Sequence, residues 1–336
     1  MPKKSGKLGV TMKYATIGTS WIAEKYVSAA KTVPGIELEA VYSRRQETAE
    51  TFAEKSGAIK TYTDLTALAC DASVDSVYIA SPNRFHYEQS KMMLEAGKNV
   101  ICEKPATTAA AEMRELYELA EAKGLIYTEA IMSIHTPAFP MLKEALAKLG
   151  RIRTARLDFC QLSSKYPLFL EGKKPNIFNP AMHAGCLMDI GVYNLYLAAA
   201  LFGKPETVVS CAEFLDNGAD AAGAAILRYP GLCVSMCYSK VGQQYAPSEI
   251  VGDEGTIQIG SVSQLTGIKL LTKDGATELV PEDLSRDDVM RGEAAFFLRM
   301  AQAGDYSDAA YRFAKETALT VREICDFIRR ENGFIF

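Results

Sequence analysis

Tyr14-Ala15-Thr16-Ile17-Gly18-Thr19-Ser20-Trp21-Ile22-Ala23 is a strand-like run that meets a glycine and passes straight into a helical pattern. A glycine there lets the backbone turn sharply, and a helix opening directly after it presents N–H groups with no partner of their own. Those groups and the helix dipole form the place where a pyrophosphate rests in a dinucleotide-binding βα unit. The usual pattern has glycine at the first, third and sixth places. Gly18 keeps the first, while Ser20 stands at the third and Ala23 at the sixth, where alanine still permits close helix–strand packing. Taken alone, the run suits an ordinary β–α turn equally well.

The surrounding pattern extends the reading. Strand-like runs at residues 37–42, 77–80, 100–102 and 125–128 alternate with helical patterns at 46–55, 87–96, 109–122 and 140–149. Such alternation implies a parallel sheet with helices on both faces and right-handed crossovers. After Gly150 the character changes. Residues 151–162, 207–214, 224–229, 232–238, 248–251, 256–259, 268–271 and 277–280 read as strands, most of them separated by turn signals such as Pro230-Gly231 and Lys273-Asp274-Gly275. That succession indicates a mostly antiparallel sheet, interrupted by one helix near 189–202 and followed by helices at 289–303 and 309–330. The expected fold is therefore an α/β Rossmann domain with a doubly wound parallel sheet over 12–133. An α+β domain with a large open, mostly antiparallel sheet follows over 134–336. Residues 1–11 read as a flexible lead, with Met12 as an alternative start, and the C-terminal helices pack on either domain.

Composition narrows the function. The 336 residues are 48% hydrophobic and 23% charged, with a formal net charge of −4. No basic run offers an electrostatic footprint for nucleic acid or an anionic membrane. The greasiest run, 195–202, is too short to span a bilayer, and the N-terminus lacks the apolar segment of a secretory signal. Eight cysteines without a Cys-x-x-Cys pair read as small buried hydrophobes of a reduced, cytoplasmic protein. His86, His135 and His183 show no ligand spacing, so nothing argues for a metal.

The end of the second strand, Ser43-Arg44-Arg45, bears on the nucleotide. An NAD site usually places a carboxylate there for the ribose hydroxyls. Serine and arginine suit a 2′-phosphate instead, so NADP is favoured over NAD. The alternative is a solvated arginine pair, mildly unfavourable beside a helix N-terminus.

Three further motifs follow in order. Ser81-Pro82-Asn83-Arg84-Phe85-His86 comes after the third strand, Glu103-Lys104-Pro105 after the fourth, and Gly185-Cys186-Leu187-Met188-Asp189-Ile190-Gly191-Val192-Tyr193 opens the later helix. Each has a plain reading by itself: a solvated turn at Lys104, a packed helix-start residue at His86, a cap at Asp189 and a core aromatic at Tyr193. Together with the first turn, they make the chain resemble the Gfo/Idh/MocA oxidoreductases, the glucose-fructose oxidoreductase and inositol dehydrogenase family, over nearly its whole length. Tyrosine at 193, where many members have histidine, is similar to the dimeric dihydrodiol dehydrogenase and NADP-xylose dehydrogenase branch. It places an inositol or glucose dehydrogenase assignment in doubt.

The resemblance implies hydride exchange between NADP or NAD and a sugar, polyol or related carbonyl compound, in a homodimer or homotetramer. It places Gly18, Thr19, Ser20, Trp21, Ile22, Ser43, Arg44, Ser81, Pro82, Asn83, His86, Glu103 and Lys104 at the cofactor, and implies a cis Lys104–Pro105 bond. The catalytic set is Lys104, Asp189 and Tyr193. Tyr193 exchanges the proton, Lys104 hydrogen-bonds the substrate oxygen and stabilises alkoxide charge, and Asp189 orients these groups or meets a substrate hydroxyl. Lys165, Phe178, Asn179 and His183 are candidates for the pocket wall. The competing class is a non-catalytic, sugar-responsive regulator of the same fold, which has no need of a proton-transfer set.

Overall fold

The computed structural model describes residues 11–336, so the expected lead lies, but for its last residue, outside the described residues. Contacts divide the chain into two units. The first holds the described residues up to Thr107, with Ala111–Ile131 and Arg286–Lys315; the second holds Thr108–Ala110, Met132–Ser285 and Glu316–Phe336.

Within the first unit, β1 (Met12–Ile17), β2 (Ile36–Tyr42), β3 (Lys60–Tyr62), β4 (Ser76–Ile79), β5 (Asn99–Glu103) and β6 (Tyr127–Ala130) form one sheet in the order β3-β2-β1-β4-β5-β6. Every pairing is parallel. All residues of β4 and β6 are buried, as a sheet covered on both faces requires. The strand order reverses between β1 and β4, and ligands bind outside the carboxyl ends at such a switch point. Gly18 follows β1 there, Ser81 lies just past β4, and β5 ends at Glu103. The sequence pattern gave no sign of β3, a half-exposed three-residue strand, or of the helix Leu65–Cys70, which Asp64 caps by accepting from Thr66 N at 2.8 Å.

The helix Arg286–Ala303 belongs to this unit although it comes from far along the chain. Its Asp287 pairs with Lys25 at 3.1 Å and accepts from Ser28 Oγ at 2.7 Å, both on the helix Trp21–Ala30. Its inward residues, among them Val289, Met290, Ala294 and Phe297, are buried.

In the second unit lie β7 (Ile152–Arg156), β8 (Phe159–Cys160), β9 (Thr207–Phe214), β10 (Asp220–Tyr229), β11 (Leu232–Ser239), β12 (Ser248–Gly252), β13 (Thr256–Ser261), β14 (Thr266–Thr272) and β15 (Gly275–Val280). They form a nine-stranded sheet in the order β15-β14-β13-β12-β7-β11-β10-β9, with β8 also on β11. Only β7 and β8 run parallel to β11; the other pairings are antiparallel. The single strand expected over 151–162 is two strands. Asp158 divides them, because its Oδ1 accepts from Cys237 N at 2.8 Å and its N–H goes to Ser248 Oγ at 2.9 Å.

Two expectations are corrected here. The helical run Pro180–Phe202 has a mean hydropathy of 1.4 over its best window, enough in length and composition for a membrane span. In this protein 83% of that window is buried inside, so its apolar surface is covered by the protein's own core. The cysteines are not uniformly buried either. Cys70, Cys211, Cys233 and Cys237 are exposed, and none of the eight is in a disulfide. Cys233 and Cys237 do share a strand face, as their spacing implies, but that face is open.

Gly18 has φ of +111°, and a Cβ there would stand 2.6 Å from the Ala80 carbonyl oxygen. Since that obstacle is backbone, Gly18→Ala should cost about 2 kcal/mol or more in urea unfolding. A loss below about 0.5 kcal/mol, the range of an ordinary surface change, would contradict this packing.

Candidate cofactor and substrate surfaces

The nucleotide surface is built around Gly18, whose N–H donates to Tyr42 O at 3.1 Å. Ser20 precedes the helix Trp21–Ala30 in an extended conformation and makes no side-chain cap bond. Its buried Oγ has no partner. An uncapped helix start, a hydroxyl without a bond and a glycine where no Cβ fits together make the arrangement an incoming pyrophosphate requires. The residues present therefore fit a dinucleotide. Trp21 is 61% exposed, and the Arg286 guanidinium lies 5.4 Å from its ring centroid. A cavity of about 330 Å³ is lined by Thr19, Arg45, Thr48 and Phe52, among others. Arg45 lines this cavity together with Lys55 and the carboxylates of Glu24 and Glu47, whereas Ser43 and Arg44 do not line it.

Ser81, Pro82 and Asn83 follow β4, all half-buried. His86 is buried and bridges two loops: its Nε2 is 2.6 Å from Ser81 O and its Nδ1 is 2.9 Å from Pro105 O. Burial lowers its pKa, which favours a neutral ring that donates to one carbonyl at a time. This histidine braces the loop after β4 against the loop after β5.

Glu103 ends β5 and Lys104 follows it, and the Lys104–Pro105 bond is cis, as the resemblance implies. The buried Glu103 carboxylate accepts from Tyr78 Oη at 2.6 Å and from Lys104 N at 3.2 Å. Glu129 accepts from Ala106 N at 2.8 Å on the other side of the proline. The backbone that presents the half-exposed Lys104 is therefore clamped from both sides. Behind this clamp Tyr78 stacks on Tyr26 at 3.7 Å, and Glu293 lies fully buried. Burial raises the pKa of Glu103, and burial together with the charge of Glu103 raises that of Glu293. Sequence reading missed Glu293 because it resembles any polar residue of an amphipathic helix.

The second unit carries Asp189 and Tyr193. Gly185 lies so close to Asp220 that a Cβ there would overlap the carboxylate, whose Oδ2 accepts from Leu187 N at 2.6 Å. Asp189 N donates to Gly185 O at 3.1 Å. The chain then makes a π-helical turn, Leu187–Gly191, before the α-helix Val192–Phe202. Gly191 permits it, since a Cβ there would be 3.0 Å from the Tyr238 ring. Asp189 therefore sits on a widened turn rather than in the first turn of an α-helix, a form frequent at functional sites. Tyr193, only 6% exposed, meets Phe159 edge-on at 6.0 Å. The Asp189 carboxylate is paired with Lys240 Nζ, a residue that no motif had marked.

Of the four candidate wall residues, Lys165 is exposed. Phe178 is buried in a cluster with Tyr166 and Phe169, at 5.9 and 5.7 Å. Asn179 caps a short turn by accepting from Ala181 N at 3.1 Å. His183 adopts φ of 53° and stacks on Phe336 at 5.7 Å.

Comparison with known proteins bears on the family and the fold. Residues 12–131 match the GFO/IDH/MocA oxidoreductase family with an NAD-binding Rossmann fold, and residues 141–258 match the GFO/IDH/MocA C-terminal domain. A scyllo-inositol 2-dehydrogenase (NADP(+)) of Bacillus subtilis (strain 168) is 35% identical over 97% of this chain and 98% of its own. A trans-1,2-dihydrobenzene-1,2-diol dehydrogenase of Mus musculus is 32% identical over 66% of each chain. The solved 3-ketoreductase from Actinomadura kijaniata with NADP and TDP-benzene shares the fold, with a TM-score of 0.83, 24% identity, and 95% and 97% of the two chains covered.

Burial pushes the Asp220 carboxyl up to about 6, against backbone N–H bonds that pull it down. The folded state thus binds this proton more tightly than the unfolded chain, so the group's contribution to stability is complete below about pH 4 and is lost as pH rises through 6. Asp220→Asn should remove up to about 3 kcal/mol of that change in urea unfolding between pH 4 and 7. An identical pH slope in wild type and variant would count against it.

Proposed function

Because this chain belongs to the GFO/IDH/MocA oxidoreductase family, we propose that it transfers hydride between NADP and a polyol or sugar-like substrate, with Lys104 and Tyr193 acting on the substrate oxygen. It is an NAD(P)-dependent oxidoreductase of CH–OH groups. The observation that carries the reading is the cradle at Gly18 and Ser20, where an unpartnered hydroxyl meets an uncapped helix start. The relatives are dehydrogenases and reductases, which favours catalysis over the regulator reading.

The nicotinamide, when bound, supplies or accepts the hydride. The chain's own groups handle the proton. Tyr193 gives its phenolic proton to the oxygen during carbonyl reduction and takes it back during oxidation. Lys104, its backbone clamped by Glu103, donates a hydrogen bond to the same oxygen and stabilises the charge that develops there. Asp189 accepts from a substrate hydroxyl or orients these two groups. Ser81, Pro82, Asn83 and His86 shape the nicotinamide end, while Thr19, Trp21 and Ile22 line the pyrophosphate turn.

Arg45 and Arg44 are the candidates for a 2′-phosphate, Arg45 through the cavity it lines and Arg44 through its place after β2. The inositol and dihydrodiol relatives support a ring carrying vicinal hydroxyls as substrate. Eight cysteines outside any disulfide accord with a cytoplasmic setting. The open face of β9–β11, where Val209, Ile226, Cys211 and Cys237 are exposed, is the surface we assign to a second copy in a homodimer or homotetramer.

Lys104→Met and Tyr193→Phe should each lower kcat with an inositol or dihydrodiol substrate by about 100-fold or more, with NADPH affinity nearly unchanged. Retained turnover in either variant removes that residue from the mechanism. Arg45→Ala should weaken NADPH at least about tenfold more than NADH, as loss of a charge-assisted phosphate contact predicts. Arg44→Ala in the same titration decides between the two arginines, and equal losses for both cofactors in both variants would refute a 2′-phosphate site.

A further inference from the structure

Lys240 comes directly after β11, and its backbone is held on both sides. Its N–H donates to Ala221 O at 2.9 Å and its carbonyl accepts from Ser163 N at 2.9 Å. The lysine side chain is 9% exposed, while that of Asp189 is 24% exposed. The ammonium therefore lies behind the carboxylate, which faces the more open side. The pair joins Lys240 Nζ to Asp189 Oδ2.

Stability alone is a poor reason for such a pair. Desolvating a lysine costs about as much as an ion pair returns, so buried pairs often gain little over apolar residues of the same size. Its definite effect is geometric. Asp189 sits on the π turn Leu187–Gly191, where the regular helical ladder is interrupted, and the bond from Lys240 Nζ holds its carboxylate from a neighbouring segment. The charges of Asp220, Lys240, Asp189 and Cys160 all reach Cys186, which precedes this turn, and Asp220 is itself engaged with Leu187 N.

We propose that Lys240 is a positioning residue of the reaction: by holding Asp189 Oδ2 it fixes the direction of Oδ1, and with it the carboxylate's action beside Tyr193. The proposal rests on the hydride-transfer reading above. Lys240 touches neither the reacting atoms nor the cofactor in this scheme and acts only through Asp189.

The test combines kinetics and crystallography of the full-length protein. With scyllo-inositol and NADP⁺, Lys240→Met should lower kcat by about 100-fold, the scale of a misplaced catalytic group, while KM moves less than about threefold. Lys240→Arg should recover most of the loss. In an Asp189→Asn background the same Lys240→Met change should cost less than about threefold, since its route of action is gone. Crystal structures of wild type and Lys240→Met should show the Asp189 carboxylate rotated only in the variant. Lys240→Gln, which keeps a donor and much of the volume, carries both readouts if the Met variant fails to fold. Equal losses in the two backgrounds, or an unmoved Asp189, overturn the proposal. Absence of wild-type turnover on scyllo-inositol counts against the substrate reading alone, and the crystal structures then decide the role of Lys240.

Discussion

No side-chain atom fits between Gly18 and the carbonyl of Ala80, and the first unit is arranged around that contact. It brings the turn after β1 against the end of β4 where the strand order reverses. With the two chain ends fixed there, the helix Trp21–Ala30 starts without a protein cap and Ser81 begins the next loop beside it. Binding capacity thus follows from a steric constraint, and the hydroxyl of Ser20 is left to meet whatever arrives.

The second unit uses the same device with different chemistry. Gly185 and Gly191 bracket the turn that carries Asp189, and each stands where a methyl group would press on a large neighbour, Asp220 or Tyr238. A carboxylate buried against a backbone N–H is a costly way to hold a turn, and it is tolerated because that N–H at Leu187 needs an acceptor. The widened turn then sets Asp189 apart from the helix that bears Tyr193, and Lys240, just after β11, holds its carboxylate.

How much of this was legible depended on distance along the chain. The alternation of strands and helices, the turn at Gly18, and the motif holding Asp189 and Tyr193 are local patterns, and the structure places them in the expected elements except for Asp189, which lies on a π turn before the helix. β3 was not legible because Lys60-Thr61-Tyr62 has no apolar alternation and is a strand only through its pairing with β2. The π turn was invisible because the glycines that permit it are constrained by residues dozens of positions away. Lys240 and Glu293 were missed for the same reason: each is an unremarkable polar residue until its partner is known. Arg45 lies next to the arginine that strand-end logic selected, and only the cavity distinguishes the two.

The helix Arg286–Ala303 completes the first unit from the far side of the second in sequence. During synthesis, the surface of Trp21–Ala30 that it covers stays open until Met132–Ser285 has left the ribosome. At about 5–20 residues per second that interval is on the order of ten seconds or more. The unit that begins first is therefore the one that finishes late, and one face of its first helix meets solvent throughout that interval.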